Sequence, residues 1–189
     1  KVPLSHKKLD PVKGDVVEQL RIVPPITLQY TTSLLVTQPD GSVAAEIRVH
    51  AYKKELNTTL MVVSQTSKNI NTLQTINGLN LQAGTDTIIQ VHLDAATVNK
   101  ASKDDFYLLC VAKNGDDSYG KTLHLIQYNH IPTLQYFSEA FAKVLRKNWK
   151  CTAKRIGFIE GAGDYTVTFL RAAGMDVDIL KETDMTNAA

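Results

Sequence analysis

The sequence is poor in several features that define large classes of protein. Its two cysteines, Cys110 and Cys151, are too few and too far apart to make a disulfide framework or a zinc site. No apolar run approaches the roughly 18 residues that a membrane-spanning helix needs. The 21 lysines and arginines nearly balance the 19 aspartates and glutamates, which argues against nucleic acid as a partner. We therefore expect a globular chain with neither a membrane span nor a nucleic-acid site.

Motifs that carry catalytic chemistry are also missing. The sequence has no G-x-S-x-G, no H-E-x-x-H, no P-loop and no pair of acidic residues at a recognisable spacing. His130 follows a predicted strand but has no nearby histidine, cysteine or carboxylate in the sequence, which favours a linker histidine over a metal ligand. We accordingly predict no catalytic residue, no metal ligand and no cofactor, and expect that this chain is not an enzyme.

The middle of the chain is dominated by strand patterns. In Val43–Tyr52 apolar residues alternate with polar ones such as Glu46, Arg48 and His50, which places one face on a core. Pro24-Pro25 marks an edge strand or a strand that changes sheets, because proline cannot donate ladder hydrogen bonds. Other strand-like runs, separated by turn signals such as Asn77-Gly78 and Asn114-Gly115, are Ile26–Tyr30, Leu34–Val36, Thr58–Val63, Leu73–Ile76, Thr85–Leu93, Phe106–Ala112 and Lys121–Tyr128.

These runs predict a mainly β chain with an immunoglobulin-like β-sandwich over residues 20–130. Residues 1–19 are polar and broken by Pro3, Pro11 and Gly14, so we expect an irregular lead-in. Residues 131–153 are interpreted as a connecting strand and linker.

The pattern changes at residues 154–189. Arg155–Ile159 is typical of a buried strand, Tyr165–Ala173 has helical spacing, Gly174 stands where helices end, and Val177–Leu180 is a second strand. We predict a truncated, Rossmann-like β-α-β unit. Because parallel strands are normally buried on both faces, this unit is expected to pack on the sandwich, on other domains of the same polypeptide, or on another copy as a homo-oligomer.

The turn after the first strand of this unit is the one candidate ligand site. Gly161, Ala162 and Gly163 give G-x-G before a helix, and backbone N–H groups there can bind an anion. The third glycine of a dinucleotide fingerprint is replaced by Thr166, and Asp164 stands at the expected N-cap, where its carboxylate competes for the same N–H groups. Gly161, Gly163 and Asp164 are thus anion-site candidates, with a purely structural tight turn as the alternative.

Residues 128–181 resemble a known family. Tyr128-Asn129-His130-Ile131-Pro132, the run from Arg155 to Asp164, and Leu170–Leu180 are similar to the region that follows the catalytic domain in bacterial LmbE-like (PIG-L) deacetylases, relatives of the N-acetylglucosaminyl-phosphatidylinositol deacetylases. The resemblance implies that a sandwich domain is followed by the opening of a glutamine-amidotransferase-like domain. The zinc-binding His-Pro-Asp-Asp motif of that family is absent here, so no metal ligand is carried over, although the parent protein would be a zinc-dependent hydrolase.

Two functions follow as hypotheses. The resemblance implies a non-catalytic accessory region that positions neighbouring domains of a larger LmbE-like deacetylase, with a periplasmic or secreted location favoured. The alternative is a carbohydrate-binding β-sandwich module. Such modules stack sugar rings on exposed aromatics, but aromatics make up only 7% of this chain and Trp149 lies outside the predicted sandwich. Tyr30, Tyr52, Tyr107 and Tyr119 are spread along it, which weighs against strong sugar binding.

Overall fold

The fold was analysed in a computed structural model, which describes residues 5–12, 14–67, 69–128, 131–147, 153, 155–161, 165–172, 174–181 and 184. Within these ranges no helix is long and apolar enough to cross a membrane.

The expectation of an irregular lead-in is wrong. Strands β1 (Ser5–Asp10) and β2 (Gly14–Gln19) pair as an antiparallel hairpin. The side chain of Asp10 accepts a hydrogen bond from the N–H of Val12 (2.8 Å) and stabilises the turn. Strand β1 is exposed along almost its whole length, so it lacks the buried face whose apolar periodicity would reveal a strand in the sequence.

Three strands form one layer of the sandwich. They are β3 (Ile26–Tyr30), β5 (Val43–Ala51) and β8 (Thr85–Leu93), antiparallel and in the order β3-β5-β8. In β5 buried residues alternate with more exposed ones, and Ile47 is fully buried, which confirms the predicted register. The edge position predicted from the proline pair is also confirmed, because β3 is an outer strand of this sheet.

The second layer is a six-stranded sheet. Its main path runs β4 (Leu34–Val36), β13 (Phe141–Leu145), β9 (Phe106–Asn114), β6 (Glu55–Gln65) and β7 (Ile70–Leu81), and β10 (Asp117–Tyr119) also pairs with β9. Gly78 lies inside β7 with φ +73°, where the ladder with β6 shifts register. The Asn77-Gly78 pair is therefore a β-bulge, and its interpretation as a turn is wrong. The sequence did not separate the two, because a glycine with positive φ occurs in both structures.

The two sheets pack face to face around one core. Ile47 and Val49 from the first sheet lie in the same buried cluster as Leu60, Phe106 and Leu108 from the second. The short helix α1 (Ala95–Ala101) adds Val98 to this cluster, and the side chain of its N-cap residue, Asp94, accepts a hydrogen bond from the N–H of Thr97. The first two strands of the sandwich join different layers. Strand β3 pairs antiparallel with β5 in the three-stranded sheet, and β4 pairs parallel with β13 in the six-stranded sheet. The chain is thus mainly β and forms an immunoglobulin-like sandwich.

A long hairpin interrupts the last strand of the sandwich. Strands β10 and β13 both pair along the same side of β9, and between them the chain leaves at Gly120 and returns at Ala140, where the N–H of Ala140 donates to the carbonyl of Gly120 (2.9 Å). The excursion is an antiparallel pair, β11 (Lys121–Tyr128) and β12 (Ile131–Glu139), which we call the arm. The hydroxyl of Thr122 donates to the carbonyl of Leu28 (2.6 Å) and ties the base of the arm to β3.

The predicted end of the sandwich at residue 130 is too early. Ala142 and Val144 of β13 are fully buried in the core, so the sandwich extends to Leu145 and only the residues after it can serve as a linker. The interruption by the arm explains the error, because β13 is separated from the rest of its strand in the sequence.

The C-terminal part has the predicted β-α-β order. Strands β14 (Arg155–Phe158) and β15 (Asp176–Ile179) are parallel and in register, with helix α2 (Thr166–Ala172) between them. Val167 of the helix and Val177 of β15 are buried. Gly174 has φ +81°, and a Cβ there would stand 3.0 Å from Cδ of Pro39, so this turn lies directly against the sandwich.

Candidate functional site

The predicted anion site is only partly described. Gly161 is exposed just after β14, and a Cβ added there would meet no atom of the described residues within 4 Å, its chain neighbours aside. Gly163 and Asp164 lie outside the described residues, as do His130 and Cys151. The anion site at Gly161, Gly163 and Asp164 therefore stays a prediction.

An open cleft of about 700 Å³ lies on the outer face of the six-stranded sheet, where β9 pairs with β13. One side is formed by the turn after β6, another by the segment between α1 and β9, and a third by the end of the arm. We call this the β9–β13 cleft. It is lined by Gln65, Thr66, Ser67, Ser102, Asp104, Asp105, Phe106, Tyr107, Leu109, Glu139 and Phe141.

Two exposed aromatic side chains meet in the cleft. The rings of Tyr107 and Phe141 are 5.7 Å apart between centroids and stand at 80° to each other. Alternation in β9 sends Phe106 and Leu108 into the core and Tyr107 and Leu109 to the outer face. Phe141 is the direct cross-strand partner of Leu109, which places it on the same face. Because 44% of Tyr107 and 46% of Phe141 remain accessible, both rings can contact a ligand.

Two of the carboxylates around the aromatic pair, Asp105 and Glu139, have hydrogen-bond or ion-pair partners. Asp105 accepts a hydrogen bond from the N–H of Arg146 (2.9 Å), and its other oxygen lies 3.8 Å from Nζ of Lys143. Glu139, at the end of the arm, forms an ion pair with Lys121 across the hairpin. The N–H of Asp104 donates to the hydroxyl of Ser102 (3.0 Å). The cleft thus combines oriented acceptors with an apolar floor.

Arg146 fixes the wall of the cleft that contains Ser102 and Asp105. Its guanidinium donates to the carbonyls of Val98 (3.1 Å) and Ser102 (2.8 Å), and also to the side-chain oxygen of Asn99 (2.7 Å). The carbonyl of Val98 also accepts from the N–H of Ser102, whereas that of Ser102 follows the last turn of α1, where an arginine is a favourable partner. The segment between α1 and β9 is therefore anchored to the strand that carries Phe141.

The chemistry of the cleft suits a neutral, polyhydroxylated ligand. Carboxylates accept hydrogen bonds from hydroxyl groups, and side chains such as Gln65 and Thr66 both donate and accept. The two rings provide apolar surface against which C–H groups can pack. No lysine or arginine is among the lining residues. Lys143 and Lys121, which pair with Asp105 and Glu139, offset the charge of two of the three carboxylates in the lining.

A second polar group lies on the opposite layer. On the outer face of the three-stranded sheet, Nδ1 of His50 is 2.6 Å from a carboxylate oxygen of Asp86, and the imidazole meets the ring of Tyr52 edge-on at 4.4 Å. Arg48 stands 4.0 Å from the other oxygen of Asp86. The described residues include no group of three or more histidine, cysteine or acidic side chains placed to hold a metal ion.

Sequence reasoning did not find the cleft. It named Tyr107 only as one of several scattered tyrosines, and it did not single out Asp104, Asp105, Glu139 or Phe141. The available signal was the outward position of Tyr107 in the alternating pattern of β9. Phe141 lay in the region interpreted as connecting strand and linker, so its position beside Leu109 could not be derived. Tyr30, by contrast, is buried in the core and unavailable to a ligand.

Comparisons with known proteins leave the family open. No family model matches the chain, and no curated protein matches it. A solved structure on T cell activation by the bacterial superantigen toxic shock syndrome toxin-1 has a TM-score of 0.37 and 13% identity, covering 65% of this chain and 99% of that chain. A β-glucosidase from Listeria innocua has a TM-score of 0.38 and 10% identity, covering 63% of this chain and 16% of that chain. The C-terminal domain of wzt has a TM-score of 0.34 and 10% identity, covering 65% and 71%. Likenesses at this level carry no argument about function.

Proposed function

We propose that this chain is a non-catalytic carbohydrate-binding module whose site is the β9–β13 cleft. The observation that carries the proposal is the pairing of two exposed aromatic rings, Tyr107 and Phe141, with anchored carboxylates in a single cleft. Aromatic side chains scattered in the sequence weighed against this function. Aromatic residues that are far apart in the sequence can still be neighbours in the fold, and Tyr107 and Phe141 lie side by side on adjacent strands.

The cleft matches the two chemical faces of a sugar. A pyranose ring presents C–H groups that pack on an aromatic ring, and its hydroxyl groups need directional acceptors. Asp105 and Glu139 can accept from such hydroxyls while Lys143 and Lys121 keep their charges balanced. The hydrogen bond from the N–H of Arg146 orients the carboxylate of Asp105, so less side-chain freedom is lost there when a ligand binds. A concave site with an apolar floor and a few oriented polar groups is the usual form of a small-ligand site.

The proposal is tested by substitution of the stacking ring. Tyr107→Ala removes a side chain that is exposed in the free protein, so the fold should be retained. Loss of one buried aromatic contact, roughly 1.5–3 kcal/mol, predicts affinity weaker by about ten- to hundredfold. Binding is measured by calorimetry against the neutral glycan that gives the strongest signal on a glycan array.

Tyr136→Ala is the matched control, because Tyr136 is a 52% exposed aromatic residue on the arm and is not among the residues that line the cleft. We expect it to bind as the unmodified chain does. Equal affinity of Tyr107→Ala and Tyr136→Ala would contradict the assignment of the cleft.

We also propose an accessory role in a larger LmbE-like protein for the C-terminal unit. The observation that favours it is the exposure of Ile159 (55%), Phe169 (38%) and Ile179 (45%), apolar side chains that a neighbouring domain could cover. Hydrogen exchange on the 189-residue chain as a verified monomer measures this. We expect weak protection of residues 155–181 relative to β5 and β9. Protection equal to that of the sandwich strands would show that the unit needs no further partner.

A further inference from the structure

The outer face of the β9–β13 cleft continues onto the arm. Ala140 joins β12 to β13 as a ladder residue, because its N–H donates to the carbonyl of Gly120 (2.9 Å) and its carbonyl accepts from the N–H of Cys110 (3.1 Å). Ala140 is buried while its neighbours Glu139 and Phe141 are exposed, so the alternation of a strand passes from the arm into the sandwich without a break. Side chains of odd number in the last part of β12 therefore share a face with Phe141.

Phe137 is the next aromatic residue on this face. It lies two positions before Glu139 in a regular part of the arm, with Leu123 as its cross-strand partner, and 38% of it is accessible. Four residues of extended chain, about 13 Å, separate Phe137 from Phe141. Phe137 is thus a second aromatic platform, beyond the reach of a single sugar ring that packs on Tyr107 or Phe141.

An ion pair lies between the two platforms. Glu139 and Lys121 are cross-strand partners on the same face, and both side chains are about half exposed. The carboxylate can accept hydrogen bonds from hydroxyl groups, and the ammonium group can donate to hydroxyl or ring oxygens. Along the strand, the face therefore presents an aromatic platform, a polar pair and a second aromatic platform, in that order.

We propose that the β9–β13 cleft and this face of the arm form one track for an extended, linear oligosaccharide. The proposal rests on the carbohydrate-binding function of the cleft and adds the length of its ligand. One sugar unit packs on the rings of Tyr107 and Phe141. The hydroxyls of the following units meet Glu139 and Lys121, and a further unit packs on Phe137. A monosaccharide reaches only one of the two platforms.

The test measures affinity against ligand length. Calorimetry with the full chain compares glucose with the cello- and malto-oligosaccharides up to the hexasaccharide, together with fragments of the neutral glycan that gives the strongest signal on a glycan array. In a series that binds, we expect affinity to rise about tenfold or more between the disaccharide and the tetrasaccharide, because the longer chain gains the contact with Phe137. Units beyond the tetrasaccharide should add little.

Phe137→Ala isolates the second platform. This variant should bind the tetrasaccharide about tenfold more weakly and the disaccharide as the unmodified chain does, which also shows that the cleft remains folded. Phe137→Leu keeps an apolar side chain beside Leu123 but removes the flat ring, and it should lose most of the same gain. Tyr136→Ala is the matched control, because Tyr136 is exposed on the opposite face of the arm and its removal should affect neither ligand.

The outcomes separate the two proposals. Equal affinity for the disaccharide and the tetrasaccharide, or a gain with length that survives in Phe137→Ala, would overturn the track and leave sugar binding in the cleft intact where Tyr107→Ala still weakens it. Weakening by Phe137→Ala that is equal for both ligands, or that Tyr136→Ala reproduces, would also overturn the track, since the arm would then act only through its fold. Absence of binding to every sugar on the array and in the titrations would overturn the carbohydrate-binding function itself.

Discussion

The hydroxyl group of Tyr30 lies inside the sandwich core and has no hydrogen-bond partner among the described residues. Tyr30 is 5% exposed and stands at the end of β3, paired with Ile47 of β5. Burial raises the pKa of Tyr30 well above its usual range, and the nearby thiol of Cys110 adds to the shift. The structure therefore predicts that the hydroxyl costs stability and that Tyr30→Phe stabilises the fold.

The magnitude follows from the contacts that change. Phenylalanine keeps the ring and its packing, so the main difference is the removal of an unsatisfied buried polar group, which costs about 1–3 kcal/mol. We expect the free energy of unfolding to rise by about 1 kcal/mol or more, equivalent to a melting temperature a few degrees higher. Tyr107→Phe is the matched control, since its hydroxyl is on an exposed residue and the change should stay within about 0.5 kcal/mol.

Urea denaturation followed by far-ultraviolet circular dichroism measures both variants. A second readout is alkaline stability. The pKa of Tyr30 in the folded state is raised above its ordinary value of 10.0, so the unfolded chain loses this proton first as the pH rises above about 10. The free energy of unfolding therefore falls with rising pH above that value. Tyr30→Phe should therefore lose less stability at high pH. If Tyr30→Phe instead lowers the free energy of unfolding by 1 kcal/mol or more at neutral pH, roughly the value of one hydrogen bond, the hydroxyl has a partner and the reasoning is refuted.

Two further predictions concern the register of β5 and the cap of α1. Ile47→Asp should abolish cooperative folding, because burying an unpaired carboxylate costs several kcal/mol and the whole free energy of unfolding is only about 5–15 kcal/mol. Arg48→Asp, on the exposed face of β5, should not. Equal melting temperatures of the two variants would show that the register is wrong. Hydrogen bonds from Thr97 lower the pKa of Asp94, so the stability that its carboxylate adds is present above the ordinary value of 3.8 and is lost as the pH falls below it. Asp94→Asn keeps a capping side chain that does not titrate, and its urea midpoint should approach that of the unmodified chain between about pH 6 and about pH 2.5; a constant difference would contradict this.

The sequence predicted those parts of the fold where burial imposes a period. Strand β5 could be predicted from its alternating pattern because Ile47 and Val49 pack on the core while Arg48 faces solvent. The β-α-β order could be predicted because two short apolar runs flank a segment with helical spacing. The parallel pairing of Ile156 with Val177 confirms this order. In both cases the local pattern and the tertiary contact carry the same information.

Prediction failed where a strand has no buried face or where a pairing crosses an insertion. The hairpin of β1 and β2 pairs exposed residues, such as Lys7 with Val17, so no apolar period marks it. The Asn77-Gly78 pair shows a different limit. A positive φ satisfies a turn and a bulge equally, and only the register against β6 distinguishes them.

The cleft depends on the same insertion that hid the end of the sandwich. Without the arm, the residues directly after Tyr119 would pair with the rest of β9. Phe141 would then not be the cross-strand partner of Leu109. At the end of the arm the chain returns to the sheet at Ala140, whose carbonyl accepts a hydrogen bond from the N–H of Cys110 (3.1 Å). Glu139 therefore lies at the rim of the cleft and Phe141 at its floor. The arm is therefore part of the candidate site as well as an elaboration of the sandwich. Changes to its length that alter the return register should move Phe141 to the core side of the sheet, since a shift of one residue exchanges the two faces of a strand.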